Sequence, residues 1–115
     1  MARNADLEAS TFQKRPAYRY IRVSDKLPTC DEARSQADPI AKVKLFSPTS
    51  SWSWFIAGYD PDTHTAWGLT TGHEDETGEI AMEEIVDFRD HRFGLPIERD
   101  LYFSPKPISE CSPRS

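Results

Sequence analysis

Large hydrophobic side chains are concentrated in the middle of the chain, where they alternate with polar residues. Three segments of this kind, at about 40–46, 52–59 and 65–71, have the composition and the two-residue period of β-strands. Residues 47–51 are typical of a turn, and the DPDT segment at 60–63 fits a type I turn with proline at its second position. The pattern therefore predicts a three-stranded antiparallel meander.

Beyond this meander the apolar positions change to the spacing of an α-helix. Met82, Ile85 and Val86 follow the i, i+3, i+4 spacing that puts side chains on one helical face, and this predicts a main helix over residues 82–89. A shorter helix is predicted after Thr29, whose T-x-x-E pattern is that of a capping box. The predicted fold class is α+β, an antiparallel sheet of three to five strands with its meander at about 40–71 and one main helix packed on it.

Weaker signals flank these elements. Residues 18–23 alternate as in a short edge strand. Residues 72–78 are polar and acidic and predict a loop, followed by a short fourth strand at 79–81. Residues 97–103 fit either a strand or a short helix.

The length of 115 residues fits a single domain. Residues 1–16 lack hydrophobic periodicity and predict a flexible tail. Residues 104–115 are rich in proline and predict an extended tail. The folded domain is therefore expected at 17–103.

The composition suggests a cytoplasmic protein. No stretch approaches the roughly 18 consecutive apolar residues of a membrane span, and the N-terminal residues do not resemble a signal peptide. The two cysteines, Cys30 and Cys111, lie in the terminal segments and are expected to be reduced, unpaired thiols. The formal net charge of −5 argues against general binding to a nucleic-acid backbone, although it leaves room for a local basic patch.

Signatures of catalysis are weak. The sequence has no nucleophile-elbow motif and no phosphate-binding loop, and its five glycines are scattered singly. Acidic and histidine side chains at 60–64 and 72–78 are of metal-ligand types, but they lie at opposite ends of the third predicted strand, about 20 Å apart. We therefore expect no cofactor or metal, and the sequence favours a non-enzymatic function.

Two tryptophans leave an alternative open, because Trp52 and Trp54 share one face of a predicted strand. If the preceding loop has four residues, Leu45 opposes Trp52 and the tryptophan face belongs to the core, with Lys42 and Lys44 outside. If it has five, Lys44 opposes Trp54 and an aromatic, basic face results, which would suit stacked bases or anions. Burial of the large side chains favours the core interpretation.

Arg99 is a second ambiguous residue. In a strand it would share a face with apolar neighbours, so its charge needs a partner. A structural ion pair that fastens the C-terminal segment to the sheet is the favoured interpretation. The alternative is an anion clamp, and a nucleic-acid or small-anion binding domain would then use Lys42, Lys44 and Arg99 with nearby aromatic residues.

Carboxylates are concentrated between residues 74 and 90. They form either a solvated surface that aids solubility or a docking surface for a basic protein, such as one that binds nucleic acid. The predicted partner-binding residues are Glu74, Asp75, Glu76, Glu83, Glu84 and Asp87.

Several segments in order resemble a bacterial family catalogued as domain of unknown function 2958. The stretches that carry the resemblance are KLFSP at 44–48, SWSWF at 51–55 and GLPIERDLYF at 94–103. The resemblance implies an accessory protein of plasmids and other mobile elements, with no assigned activity and no catalytic residues to carry over. One departure is Ala81, where relatives more often have a serine that caps the helix; its absence is expected to cost about 1 kcal/mol.

These observations predict a non-enzymatic, protein-binding accessory module of a mobile genetic element, which acts on a host nucleic-acid-handling or defence system through its acidic surface. The nucleic-acid or anion binder is the first alternative. A carboxylate-dependent hydrolase is the second, and it requires that carboxylates converge in three dimensions.

Overall fold

The computed structural model describes residues 6–11 and 16–111. Nine strands are found in these parts of the chain: β1 (Asp6–Ala9), β2 (Arg19–Arg22), β3 (Ile40–Ala41), β4 (Val43–Phe46), β5 (Ser53–Asp60), β6 (Thr65–Thr71), β7 (Asp75–Ala81), β8 (Glu98–Arg99) and β9 (Lys106–Pro107). The α-helices there are α1 (Cys30–Arg34) and α2 (Met82–Val86), and the 3₁₀ turns are Pro16–Tyr18, Val23–Asp25 and Ile108–Glu110. Within the described residues, no helix has the length and apolar character needed to cross a membrane.

The fold class is α+β, as predicted. Five strands form one antiparallel sheet in the order β7-β6-β5-β4-β8, and β1-β2 and β3-β9 form two smaller pairs. The predicted strand at 65–71 is confirmed, because β6 begins and ends at the predicted residues. The capping box is also confirmed, because the Glu32 amide donates to Thr29 Oγ1 at 3.1 Å and the Thr29 amide donates to Glu32 Oε1 at 2.9 Å.

The register of the β4–β5 hairpin decides which side chains share a face. Leu45 pairs with Trp54 and Val43 pairs with Ile56, so residues 47–52 form the loop. This six-residue loop is longer than both of the lengths considered from sequence. Because it has an even number of residues, like the four-residue loop, it directs the same side chains of β5 to the core. Trp54 therefore lies on the face of the core, and a tryptophan–lysine face does not form.

Both faces of the sheet are covered. The first face, which carries Leu45, Trp54 and Ile56, packs against α2 and β2. The second face, which carries Phe55 and Leu69, packs against α1 and the C-terminal segment. The two cores therefore lie on opposite sides of one sheet.

Three segments around the acidic region and the helix differ from the prediction. Residues 75–81 form the edge strand β7 rather than a loop and a short strand, and the connection from β6 is reduced to residues 72–74. Charged residues suit this position because a strand at the edge of a sheet remains open to water. Helix α2 ends at Val86, earlier than predicted, with Asp87 as its C-cap.

The segments expected to be tails are packed in part. Over 104–111 the chain adds β9 and a 3₁₀ turn, and Ile108 and Cys111 enter the core of the second face. At the other end, β1 pairs with β2, while residues 1–5 and 12–15 of the predicted N-terminal tail lie outside the described residues. Cys30 and Cys111 are unpaired, as predicted, but both are buried rather than placed in flexible segments.

Candidate functional site

An aromatic cleft opens on the first face, where the 47–52 loop enters β5. Its volume is about 210 Å³. Its walls are formed by Ser47, Ser50, Trp52, Trp54, Glu84, Phe88 and Ile97. We call this feature the aromatic cleft.

The two tryptophans form one wall of the aromatic cleft. Their rings are stacked, with centroids 6.2 Å apart and an interplanar angle of 26°. Trp52 lies directly against Gly72, where a Cβ atom would come within 2.6 Å of the indole ring. Trp52 nevertheless remains 37% exposed, so the stacked pair offers a fixed aromatic surface to the solvent.

The opposite wall comes from α2 and the turn that follows it. Met82 and Ile85 anchor the helix in the core. Glu84 and Phe88 are four residues apart, the spacing that places two side chains on the same side of a helical segment. The turn after α2 holds Phe88 close to the end of the helix, because the Phe88 amide donates to the Ile85 carbonyl at 3.2 Å. A carboxylate therefore lies at the rim of an apolar cleft.

A second hollow of about 260 Å³ lies on the other side of Trp52. His73 packs edge-on against Trp52, with centroids 5.7 Å apart and an interplanar angle of 84°. Thr70, Glu74 and Glu76 complete its lining. All residues that line the two hollows are described, and none of them is a lysine or an arginine.

This combination of groups suits a positively charged, partly apolar side chain. Aromatic rings attract cations through their electron-rich faces, and among these rings the indole of tryptophan attracts cations most strongly. A carboxylate at the rim can accept a hydrogen bond from the same cation. Arginine and lysine carry such a charge on an apolar stem.

Three of the predicted acidic residues converge on these hollows. Glu84 lies at the aromatic cleft, and Glu74 and Glu76 lie at the second hollow. Trp52 belongs to both hollows and connects them. The acidic surface proposed from sequence thus includes an aromatic centre that the sequence analysis assigned to the core.

The other three acidic residues lie elsewhere. Asp75 precedes Glu76 in β7, so strand alternation directs it to the second face. Glu83 lines neither hollow, and its charge contributes to the raised pKa of the His64 imidazole. Asp87 is the exposed C-cap of α2. The predicted surface is therefore divided over several sides of the protein.

The predicted basic residues do not form one site. Lys42 Nζ donates to a main-chain carbonyl at 2.9 Å. Lys44 Nζ lies 5.5 Å from the centroid of the Phe55 ring on the second face. Both Nη atoms of Arg99 donate to the Asp25 carboxylate at 2.8 Å. For Arg99 the structure has the ion pair that sequence analysis favoured, and this pair fastens β8 to the turn after β2.

One cluster of titratable residues was not anticipated. The Tyr59 hydroxyl donates to the buried carboxylate of Glu8, and His64 Nδ1 lies 2.7 Å from the same Glu8 oxygen. Burial raises the pKa of Tyr59, and the hydrogen bond to Glu8 adds to this effect. The Glu8 interaction also raises the pKa of His64. The cluster connects β1 to the end of β5 and the turn that follows it. Glu8 is 51 residues from Tyr59 and 56 from His64 in sequence, so no local motif could indicate it.

Comparison with known proteins gives one match. A family model described as "Protein of unknown function (DUF2958)" matches residues 22–111. The matched region contains both hollows. No curated protein and no solved structure matches the chain. Within the described residues, no three histidine, cysteine, aspartate or glutamate side chains are placed to hold a metal ion.

Proposed function

Because the chain belongs to the DUF2958 family, whose description assigns no activity, we propose a function from the geometry of its surface. The protein is a non-enzymatic binding module that docks a basic segment of another protein. An arginine or lysine of the partner enters the aromatic cleft, and neighbouring cations of the same segment contact the second hollow.

The observation that carries this proposal is the position of Glu84 beside an aromatic cleft. Exposed aromatic surface is costly unless a partner covers it, and tryptophan is enriched among the residues that dominate binding energy at interfaces. Trp52 is held in place by Gly72 and Trp54, so little freedom is lost when a partner binds. Preorganisation of this kind favours affinity.

Electrostatics favours the same class of partner. The protein carries a formal net charge of −5, and Glu74, Glu76 and Glu84 are exposed around the two hollows. Complementary charge accelerates the encounter with a basic segment and disfavours acidic partners. The aromatic surface then supplies the short-range contact that surface charges alone do not provide.

The biological setting is also part of the proposal. The resemblance described above suggests an accessory protein of a mobile genetic element. Proteins that handle nucleic acid carry basic segments, so a host nucleic-acid-handling or defence protein fits as the partner. By binding the basic segment of that partner, the protein would compete with the partner's nucleic-acid substrate.

The direct test uses a defined probe, a short peptide in which arginine alternates with leucine. Titration with this peptide should change the tryptophan fluorescence, and the same peptide with glutamine for arginine should bind much more weakly. Glu84→Gln should weaken binding about threefold to fivefold, the value of one exposed ion pair. Trp52→Ala should weaken it about thirtyfold, as for a residue at the centre of an interface.

Glu83→Gln is the matched control, because it removes the same charge from the neighbouring position of α2 without altering either hollow. The proposal fails if Glu83→Gln and Glu84→Gln weaken peptide binding equally, since this would indicate general attraction to an acidic protein. In a bacterial host, a partner supports the proposal only if the Glu83→Gln protein retains it and the Glu84→Gln protein loses it.

A further inference from the structure

The second face carries a different type of hollow near the C-terminal segment. It has a volume of about 370 Å³. The side chains that matter for its chemistry are Lys44, Phe55, Asp100, Tyr102, Phe103 and Lys106. Here aromatic rings lie beside two lysines, and Asp100 Oδ2 lies 3.9 Å from Lys44 Nζ.

The aromatic groups of this hollow are partly fixed and partly free. The Phe55 and Phe103 rings pack 5.9 Å apart, with Lys44 Nζ 5.5 Å from the first centroid and Lys106 Nζ 5.9 Å from the second. Tyr102 is 94% exposed. Its main-chain amide donates to Asp100 Oδ1 at 2.9 Å, so the turn is ordered while the phenol ring stays open to solvent.

A neighbouring hollow of about 240 Å³ continues this surface. It shares Asp100 and Phe103 with the first and adds the side chains of Arg19 and Arg22. The Nε atoms of these arginines lie 3.6 and 3.3 Å from the Asp6 carboxylate. We call the two connected hollows the basic groove.

The basic groove has a local excess of positive charge on a protein whose net charge is negative. Lys44, Lys106, Arg19 and Arg22 contribute four cations, against the carboxylates of Asp100 and Asp6. Arg99 also lines the groove, but Asp25 neutralises it. The positive charge of the basic groove is therefore a local property of the folded chain that its net charge conceals.

We propose that the basic groove binds a single strand of nucleic acid. One base stacks on the exposed ring of Tyr102, and the flanking phosphates contact Lys44 and Lys106. Stacking on aromatic rings combined with a cationic track is the general mode by which proteins bind single strands without reading their sequence. A duplex keeps its bases stacked inside, so it would not use the Tyr102 ring.

Other ligands of negative charge are less consistent with this surface. Free phosphate would contact the lysines alone and leave the exposed ring unused. An acidic peptide supplies negative charge but lacks the bases that stack on an exposed aromatic ring. Both ligands serve as comparison probes in the test.

The test measures the fluorescence anisotropy of a short labelled oligothymidylate with the full chain. We expect binding that weakens between about 50 mM and 200 mM salt, with a logarithmic slope near −0.7 for each phosphate contact. Lys44→Gln and Lys106→Gln should each reduce the slope by about 0.7. Tyr102→Ala should weaken binding about fivefold or more while preserving the slope.

The chain contains a matched control pair, because Arg92 lies 5.5 Å from the Phe93 ring on an exposed turn outside the groove. Arg92→Gln and Phe93→Ala remove the same kinds of groups and should leave oligothymidylate binding unchanged. Circular dichroism confirms that each variant remains folded.

The inference is overturned by a lack of binding at low salt, by equal losses in the groove and control variants, or by equal binding of oligothymidylate, its duplex form and an acidic peptide. Displacement of the oligothymidylate by millimolar inorganic phosphate would also overturn it, since a simple anion would then suffice. Failure here is distinguishable from failure of the protein-docking proposal, because the arginine–leucine peptide binds on the opposite face and depends on Trp52 and Glu84.

Discussion

The contact between Trp52 and Gly72 can be tested with one methyl group. In Gly72→Ala the new Cβ atom would lie 2.6 to 2.7 Å from three atoms of the indole ring, well inside van der Waals contact. The backbone of Gly72 does not adopt a left-handed conformation, so alanine fits the chain there without strain. The substitution therefore acts on Trp52, and the ring must move away from the sheet.

The magnitude follows from the burial of that ring. Trp52 is 37% exposed, so nearly two thirds of its surface is covered. With about 250 Å² for a tryptophan side chain and about 25 cal/mol per Å², this coverage is worth about 4 kcal/mol at most. A displaced ring keeps part of its contact with Trp54, so we expect a loss of about 2 kcal/mol in the free energy of unfolding.

Urea unfolding followed by circular dichroism measures this loss, and the tryptophan emission of the folded variant should shift to longer wavelength. Gly78→Ala is the control within the same hairpin, because a Cβ atom there would meet no atom within 4 Å. This control should be neutral or stabilise by up to about 1 kcal/mol through reduced freedom of the unfolded chain.

Equal stabilities of the two alanine variants, together with an unchanged emission spectrum, would refute the packing of Trp52 against Gly72. The same variants also connect structure to function. If Trp52 anchors the partner, Gly72→Ala should weaken binding of the arginine–leucine peptide, whereas Gly78→Ala should not.

Four further predictions concern stability and reactivity. Asp25→Asn should lower the free energy of unfolding in urea by about 3 kcal/mol, because it leaves the part-buried Arg99 without its bidentate partner; an unchanged midpoint would show that the pair contributes nothing. Since Glu8 raises the pKa of His64, that interaction stabilises the fold fully below pH 6.5 and is lost as the pH rises through the folded-state pKa. Asparagine tolerates the left-handed backbone at position 64, so His64→Asn should abolish the pH dependence of the urea midpoint that the Glu8–His64 interaction causes. Ala81→Ser should raise the free energy of unfolding by about 0.5 to 1 kcal/mol, because the N-cap of α2 lacks a side-chain hydrogen bond. Burial, with Asp60 nearby, raises the pKa of Cys30 to about 12, so a thiol reagent at pH 8 should modify Cys30 only on the timescale of unfolding; rapid labelling of the native protein would contradict this burial.

The features predictable from sequence are those that depend on neighbouring residues. The turn between β5 and β6, the capping box at Thr29 and the limits of β6 all follow from short patterns. The hairpin between β4 and β5 was harder, because its six-residue loop includes Trp52, which packs on Gly72 from another hairpin. Such a contact between distant residues has no local signal in the sequence.

The candidate site was predictable in part. Its carboxylates and tryptophans were identified, but in separate groups, with Trp52 and Trp54 assigned to the core and Glu84 to an acidic surface. The structure unites them because α2 ends at Val86 and the following turn brings Phe88 beside Ile97 at the cleft. The packed C-terminal segment, with Ile108 in the second core, was hidden by the proline content that predicted an extended tail.

The acidic strand β7 has a further consequence, for solubility. It forms one edge of the five-stranded sheet, so its outer backbone groups could template the addition of strands from other chains. Asp75, Glu76 and Glu79 place like charges along this edge, which makes the approach of an identical edge unfavourable. The opposite edge, β8, has only two residues. Edge-to-edge aggregation is therefore disfavoured by charge at the β7 edge and by the short length of the β8 edge. Neutral substitutions in β7 should increase self-association as well as alter partner binding.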